Sequence, residues 1–227
     1  MNDLPDPEGP REGSPEPQAL VTEVPEGEEP GAGVRKRPKP GERRVQILQT
    51  LASMLEQPGA DRITTAALAA RLQVSEAALY RHFASKAQMF EGLIEFIESS
   101  LFTLINQIAE RETDSVQQAR KIVTVLLQFG EKNPGMTRVM VGDALVFEHE
   151  RLLARMNQFF ERIESSLRQA MKQHAEATAA TMPTVQAAAQ ASVITAFIVG
   201  RLQRYARSGF KRSPTEQLDA ALRLLTA

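Results

Sequence analysis

The sequence contains no cysteine and no tryptophan. Without cysteine there are no disulfides, no thiolate nucleophiles and no cysteine-ligated metal centres, which suits a reducing cytoplasm. Histidine is nearly as sparse: His82, His149 and His174 are the only ones, and they are too scattered to form a metal cluster. Aromatic residues are 5% of the chain, with Tyr80 and Tyr205 the only tyrosines. No uninterrupted apolar run reaches about 18 residues, so no membrane span is expected. The opening Met1-Asn-Asp-Leu-Pro5 has no signal-peptide character. No Ser-His-Asp set, paired catalytic carboxylates or phosphate loop stands out. Glu148-His149-Glu150 lacks the second histidine of a metalloprotease helix. The expectation is a protein that is not an enzyme and holds no cofactor or metal.

The 227 residues are rich in Ala, Leu, Gln, Glu and Arg. That is the composition of an all-α protein with one sizeable core or two small ones. The net charge of −1 hides a segregation. Residues 1–34 hold nine acids and one base, which leaves +7 on the remainder. A basic folded part suits a polyanionic partner. Nine of the thirteen prolines lie in residues 1–40, among Gly and Glu and with almost no periodic apolar residues. Residues 1–42 therefore read as a disordered acidic tail, because they bury too little surface to offset the entropy of ordering. The tail ends in a basic arm over residues 35–44, which serves either to track phosphates or as a solubilising linker.

The chain is organised around Ile63 to Lys86. The pattern predicts two short helices joined at Gln73-Val74. Thr64 or Thr65 caps the first and Ser75 the second, since hydroxyls satisfy the free N–H groups of a helix start. Leu68, Leu72, Leu79 and Phe83 fall on the inner side, while Glu76, Ala77, Tyr80, Arg81 and His82 face outward. This is a helix-turn-helix outline, whose second helix enters the DNA major groove; an ordinary corner between two helices has the same outline. Helix 1, about 43–56 and ended by Pro58-Gly59, completes a head over residues 43–85.

Residues 86–227 form a second helical domain. Periodicity predicts helix 4 from Ser85 to about Arg111, helix 5 over about 115–132 and helix 6 over about 136–147. Helix 7 spans about 148–174 and helix 8 about 184–208, and helix 9 opens at Ser213-Pro214. Lys86 in the first turn of helix 4 runs against the helix dipole and makes more sense beside an anion. Two strongly apolar helices late in the chain predict self-association through helices 8 and 9, or else burial within one subunit.

The run Val74-Ser-Glu-Ala-Ala-Leu-Tyr-Arg-His-Phe-Ala-Ser-Lys86 resembles the recognition helix and following helix start of TetR-family regulators. The resemblance implies an all-α fold of about nine helices and a homodimer whose two recognition helices, about 34–36 Å apart, read a palindrome in double-stranded DNA. It implies phosphate contacts from Thr64, Thr65, Ser75, Tyr80 and Lys86, with Glu76, Ala77, Arg81 and His82 also on the DNA side. Two positions depart from the family pattern. Gln73 stands where a turn glycine is usual, at a cost of about 1 kcal/mol if its φ is positive, and Ala67 offers no side-chain donor.

The resemblance extends into the second domain. Arg62-Ile-Thr-Thr-Ala, Leu93-Ile-Glu-Phe-Ile-Glu98, Phe129-Gly-Glu-Lys-Asn-Pro-Gly135, Asn157-Gln-Phe-Phe-Glu-Arg-Ile-Glu164 and Ser208-Gly-Phe-Lys211 are similar to the nucleoid occlusion branch of that family, over about residues 43–215. This branch implies a DNA-bound cell-division inhibitor in the cytoplasm, associated with the nucleoid, that antagonises polymers of the tubulin-like protein FtsZ. The FtsZ tail is then expected near helices 4 and 5, at Phe96, Lys132 and Asn133. Phe96 lies off the stripe of Leu93, Ile97 and Leu101, so it is either an exposed contact or a core residue. The competing reading is a transcriptional repressor released by a small apolar ligand. That requires a lined cavity with a few convergent polar groups, for which Thr124 and Gln128 are candidates.

Overall fold

The computed structural model describes residues 41–57 and 62–226. The acidic tail, the basic arm up to Pro40 and the Pro58-Gly59 stop lie outside these residues. The described residues form nine α-helices and no strand, joined by short turns. They are α1 Glu42–Leu55, α2 Thr65–Arg71, α3 Glu76–Tyr80, α4 Lys86–Arg111, α5 Ser115–Lys132, α6 Pro134–Met140, α7 Glu150–Ala177, α8 Pro183–Arg207 and α9 Leu218–Leu225. The all-α fold of about nine helices expected from the sequence is the fold observed in the described residues.

Helix starts follow local chemistry. Thr64, Ser75 and Ser85 cap α2, α3 and α4, each hydroxyl accepting the N–H three residues on. Asp114 accepts two N–H groups at the start of α5. Pro134 and Pro183 stand at the first positions of α6 and α8, where no N–H is needed. Asn133 both ends α5 and begins α6.

Two boundaries differ from expectation. Helix 6 was expected to reach Phe147. It ends at Met140, because Gly142 adopts φ 83 and a single 3-10 turn, Asp143–Leu145, follows. Val146 and Phe147 are left exposed. Helix 9 was expected to open at Pro214. It opens at Leu218, because Gln217 adopts φ 52 and Ser213 and Thr215 are engaged by the Glu131 carboxylate.

The core is continuous from head to C-terminal domain. Ile47, Leu51, Leu55, Leu68, Leu79 and Phe83 close the head around α1. Leu93, Ile97, Leu101, Leu126, Phe129, Phe159, Ile163 and Ile198 fill the space among α4, α5, α7 and α8. Val45 of α1 and Leu153 of α7 are exposed. The head docks on the C-terminal domain mainly where α1 meets α6. Gly135 lies so close to α1 that a Cβ there would stand 2.1 Å from the Ala52 carbonyl oxygen. The Glu56 carboxylate, at the end of α1, accepts the Gly135 N–H, and partial burial raises its pKa above the ordinary 4.5. Arg138 donates to the Leu55 carbonyl at 3.4 Å across the same junction.

α8 is long and apolar enough to cross a membrane by length and composition, although it contains no uninterrupted apolar run of about 18 residues. Its inner side, with Ala187, Ala191, Ile194, Ile198 and Leu202, is buried. Its outer side presents Val185, Ala189, Ser192, Val193 and Ala196. No atom lies within 4 Å of where a Cβ on Gly200 would be. α9, by contrast, is eight residues long and turns Leu218 and Leu222 inward. The open small-residue face lies on α8.

Candidate nucleic-acid interface

α2, the turn and α3 form one small rigid unit. Gln73 takes φ 55, so a non-glycine residue does occupy the left-handed turn position. The cost is offset locally by two turn hydrogen bonds, Gln73 N–H to Ala70 O and Val74 N–H to Ala69 O, at 3.1 and 3.0 Å. The Thr65 hydroxyl donates to the Glu76 carboxylate at 2.6 Å, joining the starts of the two helices. Thr64, not Thr65, is the cap of α2.

The recognition helix is short. Arg81 is the C-cap of α3 and His82 lies just past it, so these two are carried by the helix end rather than by its body. The outward set is as expected, with Glu76, Ala77, Tyr80, Arg81 and His82 all exposed and Leu79 and Phe83 buried. The Arg44 guanidinium holds this end in place. It donates to the His82 carbonyl at 2.5 Å and stacks 4.1 Å above the Phe83 ring. Arg44 thus braces α1 against the end of α3, a role that its place at the end of the basic arm did not reveal.

The hydroxyls of Thr64 and Ser75 accept backbone N–H groups, at 3.1 and 3.3 Å, so each retains its own proton for an outside acceptor such as phosphate. Glu76 brings a carboxylate to the same face. Its bond to Thr65 stabilises it there, and in a groove it is suited to accept from a cytosine amino group. Lys86 is engaged. Its ammonium pairs with Glu148, just before α7, and lies 5.7 Å from the centre of the Phe90 ring. The anion that a lysine in this first turn calls for is thus supplied from within the chain.

The three residues expected at a protein partner fall at the α4–α5 crease. Phe96 is half-buried against Phe129, ring centres 6.3 Å apart, so it is neither fully core nor fully exposed. Lys132 is exposed at the end of α5. Asn133 is 2% exposed and its amide donates to the Phe129 carbonyl at 2.9 Å, so its side chain serves the end of α5 rather than the surface. Thr124 and Gln128 line a cleft of about 310 Å³ between the end of α4, α5 and α9, with Arg120, Lys121, Asp219 and Arg223 at its walls. This is a solvent-open surface cleft rather than a chamber enclosed by α4 to α8. The described residues contain no group of three or more His, Asp or Glu able to hold a metal.

Two family models match. One, described as bacterial regulatory proteins of the tetR family, covers residues 47–93. The other, described as the tetracyclin repressor-like C-terminal domain, covers residues 113–227. Proteins named nucleoid occlusion factor SlmA are similar over most of the chain. The one from Vibrio cholerae is 51% identical over 186 residues, covering 82% of this chain and 94% of its own. The one from Escherichia coli O1:K1 is 52% identical over 186 residues, covering 82% and 93%. This chain belongs to the SlmA family of nucleoid occlusion factors. Like the rest of that TetR-type family it is a DNA-binding regulator, and the helix-turn-helix described above is its family DNA-binding unit. Among solved structures, the fatty acid degradation regulator FadR from Bacillus halodurans superposes with TM-score 0.67 at 13% identity, covering 84% of this chain and 97% of its own. The TetR regulator PfmR from Thermus thermophilus does so with TM-score 0.64 at 18% identity, covering 81% and 95%. At that identity they speak for the fold alone.

Proposed function

We propose that this protein is a DNA-activated inhibitor of cell division. As a homodimer it binds palindromic chromosomal sites, and from there it binds FtsZ and antagonises its polymers, so that no septum closes over the nucleoid. It acts in the cytoplasm on nucleoid DNA. The observation that carries the reading is identity of about half the residues with nucleoid occlusion factors, in the C-terminal domain as well as the head.

On the DNA, Arg81 enters the groove from the end of α3, with Glu76, Ala77 and His82 beside it. Thr64, Thr65, Ser75, Tyr80 and Lys86 hold phosphates. Phosphate contacts set register and groove contacts set sequence. The dimer is built on the open faces of α7 and α8, where small residues let helices approach closely. A groove of about 300 Å³ beside that face is lined by Met140, Leu153, Phe160 and Val199. The Thr195 hydroxyl, on the same groove, is buried without a hydrogen-bond partner in this chain. FtsZ meets the α4–α5 crease, with Phe96 as the apolar contact and Lys132 as the charge. A ligand-released repressor is the second reading, favoured only by the Thr124–Gln128 cleft. The charged walls and open mouth of that cleft argue against an apolar effector.

Titration of a fluorescent duplex at fixed salt tests the DNA contacts. Arg81→Ala weakens binding by about 1–3 kcal/mol if Arg81 reads a base. Unchanged affinity removes Arg81 from the interface.

A further inference from the structure

Three ion pairs run along the seam between α4 and the start of α7. Arg155 holds Glu98 through two hydrogen bonds, of 3.1 and 2.6 Å, and Arg151 meets Glu91 at 2.8 Å. In both, the acid is on α4. The pair nearest the head is reversed: the base, Lys86, opens α4, and the acid, Glu148, comes from the turn before α7. The side chains of this pair are only 23% and 9% exposed. Lys86 also lies four residues past His82, in the first turn of α4. A phosphate arriving at the start of α4 therefore meets a lysine whose charge is already neutralised. A carboxylate and a phosphate drawn to one ammonium repel each other, so each weakens the other's hold on it.

We propose that Glu148 is an electrostatic gate on DNA binding: Glu148 and a DNA phosphate compete for Lys86. This rests on the reading of the head as DNA-binding. The competition has a second end. Glu148 belongs to the turn between α6 and α7, directly after Val146 and Phe147, which are 69% and 66% exposed. The turn starts at Gly142, whose φ is 83, and its own backbone ties are short-range, such as Glu148 N–H to Leu145 O at 3.0 Å. Ala144 and Leu145 sink into the core, and the ion pair of Glu148 with Lys86 ties the exposed end of the turn to the start of α4. When a phosphate takes Lys86, the turn loses that anchor. By thermodynamic reciprocity, whatever holds Glu148 on Lys86 weakens DNA binding, and DNA loosens the turn to the same degree.

The test is a double-mutant cycle on the full chain, with a duplex selected for binding to the wild-type protein, read by fluorescence anisotropy at fixed salt. Glu148→Gln tightens binding about two- to fivefold, the range of a partly exposed ion pair, and Lys86→Ala weakens it. In the Lys86→Ala background, Glu148→Gln gains much less, because only the long-range effect of one removed negative charge remains. An equal gain in both backgrounds, or none in either, overturns the gate. Hydrogen exchange of residues 143–149 reads the other end. Exchange rises in the wild type when duplex is added, and is already high in Lys86→Ala without DNA. Exchange unchanged in both overturns the coupling. A wild-type chain that binds no duplex overturns the DNA-binding reading itself, whereas a binding wild type with an indifferent Glu148→Gln overturns only the gate.

Discussion

Replacing Gly135 by alanine should loosen the head from the C-terminal domain. The new Cβ would lie 2.1 Å from the Ala52 carbonyl oxygen and 2.9 Å from its carbon. Both atoms belong to the backbone of α1, so no rotamer change relieves the clash. α1 must back away by about 1 Å to recover ordinary contact distances. Overpacking costs about 1–3 kcal/mol, and a clash against backbone lies in the upper part of that range, about 2–3 kcal/mol. Alanine returns at most about 1 kcal/mol of helix propensity. The net loss is about 1–2 kcal/mol, or a fall in Tm of about 2–8 °C for a chain of this size. Gly130→Ala is the internal comparison. Its Cβ would meet only side-chain atoms, the tip of Leu202 at 2.4 Å and the Thr137 hydroxyl at 2.9 Å, so its loss should be smaller. Calorimetry on the two variants gives the ranking. Because the strained junction is the one that sets the head on the C-terminal domain, Gly135→Ala should also weaken duplex binding while circular dichroism stays helical. A Gly135→Ala protein as stable as the wild type, or less affected than Gly130→Ala, would refute the close approach of α6 to α1.

Three further outcomes are expected. Ala196→Glu places a charge on the open face of α8 and should shift sedimentation velocity from dimer to monomer with helicity intact; a persisting dimer moves the interface elsewhere. Glu56 has a folded-state pKa above 4.5, raised by burial, so its contribution to stability is fully present below that value and is lost as pH rises through the higher folded one. Glu56→Gln, which can still accept the Gly135 N–H, should therefore be more stable than the wild type near pH 7, with the difference closing towards acid; parallel pH profiles would contradict this. Phe96→Ala and Lys132→Glu should each weaken FtsZ binding and spare duplex binding, and loss of both activities together would reject a separate partner face.

Where a side chain acts on its own backbone, the sequence was readable. Thr64, Ser75 and Ser85 cap helices because their hydroxyls lie next to the N–H groups that need them, and α4 runs from Lys86 to Arg111 as its apolar spacing predicts. The failures are of two physical kinds. Gly142 and Gln217 cut α6 short and delay α9 through positive φ values, and nothing in an alanine- and leucine-rich pattern announces these. Ser213-Pro214 was read as a helix start, but Glu131, over 80 residues earlier in the chain, holds the hydroxyls of Ser213 and Thr215. The candidate DNA side chains divide in the same way. The exposure of Tyr80 and Arg81 follows from the helical period. The ion pair of Lys86 with Glu148 spans 62 residues and leaves no local trace. Asn133, polar and at a helix end, reads as a surface contact until the structure shows its amide turned back onto Phe129.

The central claim is that DNA held by the head switches a second face against FtsZ. Co-sedimentation of FtsZ polymers with this protein, with and without a duplex that it binds, tests that claim most directly. The account predicts that polymer is lost from the pellet when protein and duplex are present together, and much less so with either alone. Equal polymer in all conditions would contradict it and would leave a DNA-binding regulator with a different task.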